Sequence, residues 1–180
     1  MRSLFITLCS LTALACVDPV PPAPVDDRAE ALEHAINAYR AEHGLPPIAS
    51  SPSLRLVADT HVWDLEYNLP IEPCSLHSWS DAGPWRSCCY VNESPDLDCM
   101  LDKARELSLY DANGYEIAVS YFGPKPLTPT QALSLWMASP SHNDVILNRG
   151  PWADAPWLAM GAAITEHYAV VWFGKEVDPH

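Results

Sequence analysis

Two apolar segments near the C-terminus decide the fold: Trp157-Leu-Ala-Met-Gly-Ala-Ala-Ile164 and His167-Tyr-Ala-Val-Val-Trp-Phe173. Neither segment alternates between apolar and polar residues, which indicates strands that are covered on both faces. Thr165 and Glu166 predict a tight turn between them. Because helix-forming segments precede these strands, the sequence predicts an α+β fold, a three-layer α-β-α sandwich.

Three longer helices are predicted upstream of these strands. The first runs from Arg28 to His43 and carries one apolar stripe along its length. The second begins at Ser51-Pro52, because proline is tolerated in the first turn of a helix. The third begins at a capping box formed by Thr128 and Gln131 and ends at Ser139-Pro140.

The region between the second and third helices is predicted to hold one strand and a long loop. Residues 69–114 are rich in Ser, Pro, Gly and Asp, so we expect little regular structure there. Tyr115 to Phe122 alternates in the way that is typical of a half-buried strand, with Glu116 on the less apolar face.

Three histidines lie in otherwise apolar segments. His61 falls on the buried stripe of the second helix, and we expect a core histidine held by a hydrogen bond rather than a ligand. His77 lies in the long loop, and His142 lies in a short turn that Ser141 is expected to cap. His77 and His142 are far apart in sequence, and if the fold brings them together they can share a metal ion.

Cysteine usage predicts a disulfide-bearing loop. Cys74, Cys88, Cys89 and Cys99 form an even number of thiols within a short segment. A bridge between neighbours 88 and 89 would strain the backbone, which leaves two pairings open: 74–88 with 89–99, or 74–89 with 88–99. A zinc knuckle is the alternative, since Cys74-x-x-His77 has the spacing of metal ligands.

The N-terminus predicts export. Residues 1–15 combine a positive start with an apolar run that is too short to span a bilayer, as in a signal peptide. Ala13-Leu14-Ala15-Cys16 resembles the bacterial lipoprotein cleavage box, so Cys16 is the expected lipidation site. The alternative is an ordinary secretory signal cut near Ala15. Residues 16–27 are rich in proline and predict a semi-rigid tether.

The remaining chain has the size of one domain, residues 28–176, with a short tail at 177–180. The formal net charge is −13, and removal of Arg2 with the signal peptide brings it to 9 − 23 = −14. An acidic chain without a Lys/Arg cluster repels phosphate backbones, so nucleic-acid partners are not expected. We expect a monomer that reaches the membrane only through its N-terminal lipid.

Tryptophan is plentiful, with seven residues. Trp136 and Trp172 are predicted to lie in the core. Trp79, Trp85 and Trp152 lie in loops, where they either flank a binding groove or cover the core.

Together these segments resemble the CAP superfamily, which comprises cysteine-rich secretory proteins, venom allergens, plant pathogenesis-related proteins and their bacterial relatives. The matching motifs follow one another through most of the mature chain. They are Asn37-x-x-Arg40-x-x-x-Gly44-Leu45, Leu54-x-x-x-Ala58-x-x-His61, His77-Ser78, Gly114-Tyr-Glu-Ile117-Ala118, Ala132-x-x-x-Trp136-x-x-Ser139-Pro140-x-His142-x-x-x-Ile146-Leu147, Met160-Gly161-Ala-Ala, and Tyr168-Ala-Val-Val-Trp-Phe173-Gly174.

The resemblance implies an α-β-α sandwich whose central cavity carries two histidines and two glutamates, and in several members a divalent metal, often zinc. By motif position the histidines are His77 and His142. The first glutamate falls on Tyr115, and Glu116 is displaced by one residue, which in a strand turns a side chain to the other face. We therefore expect Glu116 to reach the cavity only through a bulge or an altered register. The second glutamate falls on Ser139.

The resemblance also implies the function. Family members are linked to sterol, lipid, protein and glycan partners, with no shared enzyme activity. We therefore expect a binding module, lipid-anchored in the cell envelope or secreted, with a zinc or other divalent ion at His77 and His142. The alternative is a metal-dependent hydrolase acting on an extracellular or envelope substrate, in which Glu116 would serve as base.

Overall fold

The structure is a computed structural model that describes residues 27–68, 70, 72–91 and 96–180. The predicted signal peptide, the lipidation site at Cys16 and nearly all of the tether therefore lie outside the described residues. Within the described part, no helix is both long enough and apolar enough to cross a bilayer. The regular elements are α1 (Asp27–Glu42), β1 (Ala49–Ser50), α2 (Pro52–Tyr67), α3 (Leu97–Leu101), α4 (Lys103–Leu107), β2 (Gly114–Ser120), α5 (Pro129–Ala138), α6 (Pro140–Ile146), a 3₁₀ turn (Gly150–Trp152), β3 (Ala159–Ile164) and β4 (Tyr168–Gly174).

The strands form one sheet in the order β1-β3-β4-β2. β4 pairs antiparallel with both β2 and β3, and β1 pairs parallel with β3. Every residue of β3 and β4 is buried, as the absence of alternation in their sequences predicts. The strand β2 lies at one edge of the sheet, and this position matters for the site.

Helices cover both faces of the sheet, which confirms the predicted α-β-α sandwich. Alternate residues of β4 divide between two apolar cores, since neighbouring residues of a strand point to opposite faces. Val171 and Phe173 pack with α1, α5 and α6, including Trp136. Val170 and Trp172 pack with α2 and α4. Both Trp136 and Trp172 are fully buried, as predicted.

The helix starts that the sequence marks with caps are confirmed. Ser51 caps α2 by accepting a hydrogen bond from the backbone N–H of Leu54 at 3.0 Å. Thr128 and Gln131 form the predicted capping box of α5. The predicted role of Ser141 was wrong, because Pro140 fills the first turn of α6 and the N-cap position falls to Ser139.

The loop prediction for residues 69–114 was wrong at its C-terminal end, where α3 and α4 form. Each has only five residues, so neither displays the periodicity of a longer helix. Tertiary contacts hold them instead. Cys99 is bonded to Cys88, and the fully buried Lys103 reaches Glu106 Oε2 at 2.5 Å and the carbonyl of Arg86.

The four loop cysteines form two disulfides, Cys74–Cys89 and Cys88–Cys99. This is one of the two pairings that the sequence leaves open. Because the sulfur of Cys74 is bonded to Cys89, the alternative zinc knuckle with His77 is excluded.

The other edge of the sheet is short, because β1 has only two residues and was missed by the sequence analysis. Beyond it, side chains of α1 bind the backbone of β3. Glu33 Oε1 accepts from the N–H of Ala162 at 3.0 Å, and Arg28 Nη2 donates to the carbonyl of Ile164 at 3.2 Å. These two backbone groups of β3 therefore have partners where no strand reaches them.

Candidate histidine cavity

His77 and His142 line the same cavity, of about 460 Å³, beside the edge strand β2. His77 comes from the disulfide-bearing loop, and His142 from the first turn of α6. Glu116 of β2 lies in the same cavity. The wall is otherwise largely apolar, formed by Leu97, Met100, Leu101, Ile117, Val145 and Trp152.

Glu116 contacts His77 without any irregularity in the sheet. Its Oε2 accepts a hydrogen bond from His77 Nδ1 at 3.0 Å. The ladder between β2 and β4 is continuous, with Glu116 opposite Trp172 and Ile117 opposite Val171. The expectation that Glu116 needs a bulge or an altered register was therefore wrong.

The reason is the position of β2 at the sheet edge. Glu116 faces the α2 side, where it approaches His61, whereas its neighbours Tyr115 and Ile117 belong to the core on the α1 side. All three consecutive residues nevertheless border the cavity. A cavity beside an edge strand is open to side chains from both faces, so the one-residue displacement does not exclude Glu116.

Burial and charge act differently on the two cavity histidines. Burial lowers the pKa of His77, but the charge of Glu116 and its hydrogen bond outweigh this and raise the pKa above the usual value. Burial lowers the pKa of His142, and the neighbouring His77 lowers it further. As the pH falls, His142 therefore stays a neutral imidazole down to a lower pH than His77 does.

The hydrogen bond to Glu116 also selects the tautomer of His77. A carboxylate only accepts hydrogen bonds, so Nδ1 of His77 carries a hydrogen, and in the neutral ring the lone pair lies on Nε2. Metal-binding histidines commonly donate their second ring N–H to a carboxylate in this way.

The donor set fits a two-histidine metal site. Imidazole nitrogens are good zinc ligands, and Glu116 matches the supporting carboxylate. Within the described residues, no group of three or more His, Cys, Asp or Glu side chains is arranged to hold a metal ion. Two protein ligands would leave the other positions on the ion to water or to a bound ligand.

The serines near His142 occupy different places from those expected. Ser141 lines the cavity, and Ser139, to which motif position assigns the second glutamate, does not. Ser139 lies half-buried between α5 and α6, with its hydroxyl 3.3 Å from that of Ser141. Ser139 therefore lies beside the cavity lining and is joined to it through Ser141, whereas motif position predicted Ser139 itself in the cavity.

His61 is a buried core histidine held by a hydrogen bond, as predicted. Its Nε2 lies 3.1 Å from the carbonyl oxygen of Ser78. A second contact was not predicted: His61 Nδ1 lies 3.7 Å from Glu116 Oε1. No local signal could have found this contact, because α2 and β2 meet only in the folded protein.

The loop tryptophans divide between the two roles left open by the sequence. Trp79 is buried and stacks on His61, with ring centroids 4.2 Å apart, so it covers the core. Trp152 lines the cavity and packs edge-to-face on Tyr115. Trp85 is half-buried against Trp79. Trp63, which was not singled out in the sequence, is 54% exposed on α2.

Known structures share this architecture. A crystal structure of an extracellular protein with an SCP domain from Bacillus anthracis str. Ames superposes with a TM-score of 0.58 at 16% identity, covering 84% of this chain and 41% of that one. An outer surface protein of Borrelia burgdorferi gives a TM-score of 0.56 at 19% identity, covering 86% of this chain and 96% of that one. A cysteine-rich secretory protein from Staphylococcus aureus subsp. aureus Mu50 gives a TM-score of 0.54 at 17% identity, covering 85% of this chain and 40% of that one.

Two of these three proteins are much longer than this chain, which spans only about two fifths of each. No curated protein matches the sequence significantly. The sequence model of the cysteine-rich secretory protein family, CAP, matches residues 33–151. This match runs from within α1 into the 3₁₀ turn and includes both cavity histidines. The chain therefore belongs to the cysteine-rich secretory protein (CAP) family.

Proposed function

We propose that this CAP protein is an exported binding module whose cavity holds a divalent metal ion, with zinc the best match, through His77 and His142. One observation carries the proposal. Two imidazoles from distant parts of the chain line one cavity, and one of them donates to a buried carboxylate. The bound ion would complete its coordination with water or with a group of the ligand.

The cavity wall supports binding of a ligand that has an apolar part. Leucine, methionine, isoleucine and valine side chains, with Trp152, surround the two histidines. Ligand sites of this kind combine a mainly apolar lining with a few polar groups that fix orientation. A lipid, a glycan or a segment of a protein each offers a donor atom for the metal, so the partner class is left to experiment.

We expect the purified mature protein to bind about one zinc ion with three to four ligands in total. The variants His77→Ala and His142→Ala should each lose this ion in metal analysis after dialysis against trace zinc. His34→Ala is the matched control, since the His34 side chain is 77% exposed on α1. Zinc content that is unchanged in His142→Ala would contradict the proposed site.

We expect the affinity for zinc to fall as the pH falls. Zinc binds neutral imidazole, so protons compete for the ligands. Because Glu116 raises the pKa of His77, affinity should begin to fall at a higher pH than an unperturbed histidine would cause. His142 should lose its lone pair only at lower pH. Zinc titrations across the range from acidic to mildly basic pH measure this profile.

The hydrolase alternative has a direct test. An open zinc site lowers the pKa of bound water and can support hydrolysis. A screen of the zinc-loaded protein against envelope polymers, esters and peptides, with His77→Ala as the control, separates the two functions. Turnover that His77→Ala abolishes would replace the binding module by the enzyme.

Export has two independent supports. The disulfides Cys74–Cys89 and Cys88–Cys99 are typical of oxidising compartments. Two structurally similar proteins are described as extracellular or outer-surface proteins. We propose that lipidation of Cys16 anchors the protein to the cell envelope, with simple secretion as the alternative.

A further inference from the structure

Three aromatic side chains are exposed on the surface away from the histidine cavity. Among the described residues, Trp63, Tyr67 and Phe122 are the aromatic side chains that are more than half exposed, at 54%, 67% and 68%. The rings of Trp63 and Tyr67 contact each other, with centroids 4.8 Å apart. We call these three side chains the aromatic patch.

The aromatic patch lies at one end of the sandwich. Glu66 of α2 accepts a hydrogen bond from His167 Nδ1 at 2.6 Å, and the ring of Phe122 stacks on His167 with centroids 5.1 Å apart. Tyr67 follows Glu66 as the last residue of α2, and Trp63 lies one turn before it. The end formed by the C-terminus of α2 and the turn between β3 and β4 therefore carries all three rings. Single exposed apolar side chains are common, but a group of them indicates an interaction surface.

The first helix starts at this same end. Helix α1 begins at Asp27, directly after the predicted tether. Its second residue, Arg28, donates to the carbonyls of Ile164 and Thr165 at 3.2 and 3.4 Å. Thr165 Oγ1 in turn donates to Glu66 at 2.6 Å. The tether therefore joins the domain at the end that carries the aromatic patch.

The length of the tether keeps this end near any membrane in which Cys16 is anchored. Residues 16–26 are only eleven, and even a fully extended chain of that length spans at most about 40 Å. The other end of α2 lies further along the molecule, since this helix of 16 residues is about 24 Å long. That distant end has an exposed apolar side chain of its own, Leu109, which lines a pocket with Pro52.

We propose that the aromatic patch docks on the surface of the lipid bilayer that holds the Cys16 lipid, with Trp63 and Tyr67 at the level of the headgroups and Phe122 against the acyl chains. Tryptophan and tyrosine are enriched at this level because their rings are apolar and carry one polar group. The inference rests on the proposed anchor at Cys16. It adds a contact made by the folded domain to the contact made by the lipid.

The charge of the chain indicates which lipids suit this surface. The formal net charge is −13, so anionic headgroups repel the protein as a whole. Docking must then come from apolar side chains, whose contribution does not depend on salt. A bilayer of neutral phosphatidylcholine is therefore the matching probe.

The experiment uses the chain from Cys16 to His180, produced without lipid and coupled through the Cys16 thiol to a maleimide lipid in phosphatidylcholine vesicles. Cys9 is absent from this chain, and Cys74, Cys88, Cys89 and Cys99 are held in disulfides, so Cys16 is the thiol that reacts. This coupling reproduces the anchor whether or not the native chain is lipidated, and it requires no metal.

Docking is read as quenching of tryptophan fluorescence by phosphatidylcholine that is brominated in the acyl chains close to the headgroups. We expect quenching in the coupled wild type, and loss of most of it in Trp63→Phe, which keeps an aromatic ring but removes the reporter. Phe122→Ser and Tyr67→Ser should each shift the equilibrium between docked and undocked protein about 10-fold toward the undocked form, because burial of an apolar side chain contributes a free energy of that order. Leu109→Ser is the matched control: Leu109 is 66% exposed, and its loss should leave quenching unchanged.

The outcomes separate docking on a bilayer from other roles of the aromatic patch. Absent quenching in the coupled wild type, or quenching that neither Phe122→Ser nor Tyr67→Ser reduces, would overturn the inference. Quenching that requires anionic phosphatidylglycerol and is lost in salt would also overturn it, in favour of attraction between charges. A dimer of the uncoupled protein in sedimentation velocity that Phe122→Ser dissociates would assign the patch to a second copy of the chain.

Failure of the anchor and failure of the docking are distinguishable. A native protein without lipid at Cys16 would refute the proposed anchor, while the coupled protein would still report whether the aromatic patch binds a bilayer. Conversely, a lipidated native protein whose coupled form shows no quenching would refute the docking alone.

Discussion

Arg40 shows how one buried charge supports the site from a distance. It is only 2% exposed, yet its guanidinium donates to the carbonyl of Pro46, the carbonyl of Ile146 and Oδ1 of Asn148. These acceptors include the last residue of α6, the helix that carries His142. A guanidinium offers several donors in one plane, so this single side chain fastens α1 to the end of α6.

We expect Arg40→Met to lower the free energy of unfolding by about 2–4 kcal/mol, because each buried acceptor left unpaired costs about 1–3 kcal/mol. Urea unfolding followed by tryptophan fluorescence measures the change. Arg105→Met is the control: Arg105 is 40% exposed, and its ion pair with Asp102 should contribute about 0–1 kcal/mol. Equal effects of the two substitutions would contradict a structural role for Arg40.

At the scale of single residues, the sequence predicted which histidines line the cavity but not how the Glu116 carboxylate contacts His77. His77 and His142 were placed by motif position, and both line the cavity. The contact between Glu116 and His77 depends on β2 lying at the sheet edge, which no local pattern encodes. The contact between Glu116 and His61 likewise depends on the packing of α2 against the sheet.

Among the elements, α2 is tied to the turn between β3 and β4 through Glu66. The Glu66 carboxylate accepts from Thr165 Oγ1 at 2.6 Å, from the backbone N–H of His167 at 3.2 Å and from His167 Nδ1 at 2.6 Å. Burial raises the pKa of Glu66, but these hydrogen bonds outweigh it and lower the pKa. The hydrogen bond between His167 Nδ1 and the Glu66 carboxylate in turn raises the pKa of His167.

The ion pair between Glu66 and His167 should stabilise the folded protein within a limited range of pH. A lowered carboxyl pKa contributes stability that is lost as the pH falls through the folded value, and a raised histidine pKa contributes stability that is lost as the pH rises through it. We expect Glu66→Gln to destabilise the protein most between these two folded pKa values. Urea unfolding at a series of pH values, with the exposed Glu42→Gln as control, checks this. A pH-independent difference would contradict the ion-pair origin.

The elements that the sequence predicted correctly are those with local signals. Ser51 and Thr128 mark helix starts through caps that need only neighbouring residues. The missed elements depend on distant partners: β1 exists only as a short pairing with β3, and α3 is held by Cys99 through its bond to Cys88. Such elements are too short for the apolar periodicity of a helix or strand to be visible in the sequence.

At the scale of the whole molecule, we predict a lipid anchor at Cys16. We expect the protein isolated from the membrane of its native host to begin at Cys16 and to carry the added mass of a lipid. The acyl chains of the lipid supply the apolar surface that holds the protein on the membrane. Intact-mass spectrometry tests this. Cys16→Ala should release the protein into the medium or periplasm. A mature mass without lipid would favour simple secretion.

The two-residue strand β1 has a consequence for self-association. A sheet edge with free backbone groups is a template onto which another chain can add a strand. Here β3 extends beyond β1, but Glu33 occupies the N–H of Ala162 and Arg28 the carbonyl of Ile164. Helix α1 thus places two charged side chains where an incoming strand would have to pair. These side chains hinder the addition of a further strand at this edge, which lowers the risk of aggregation through it.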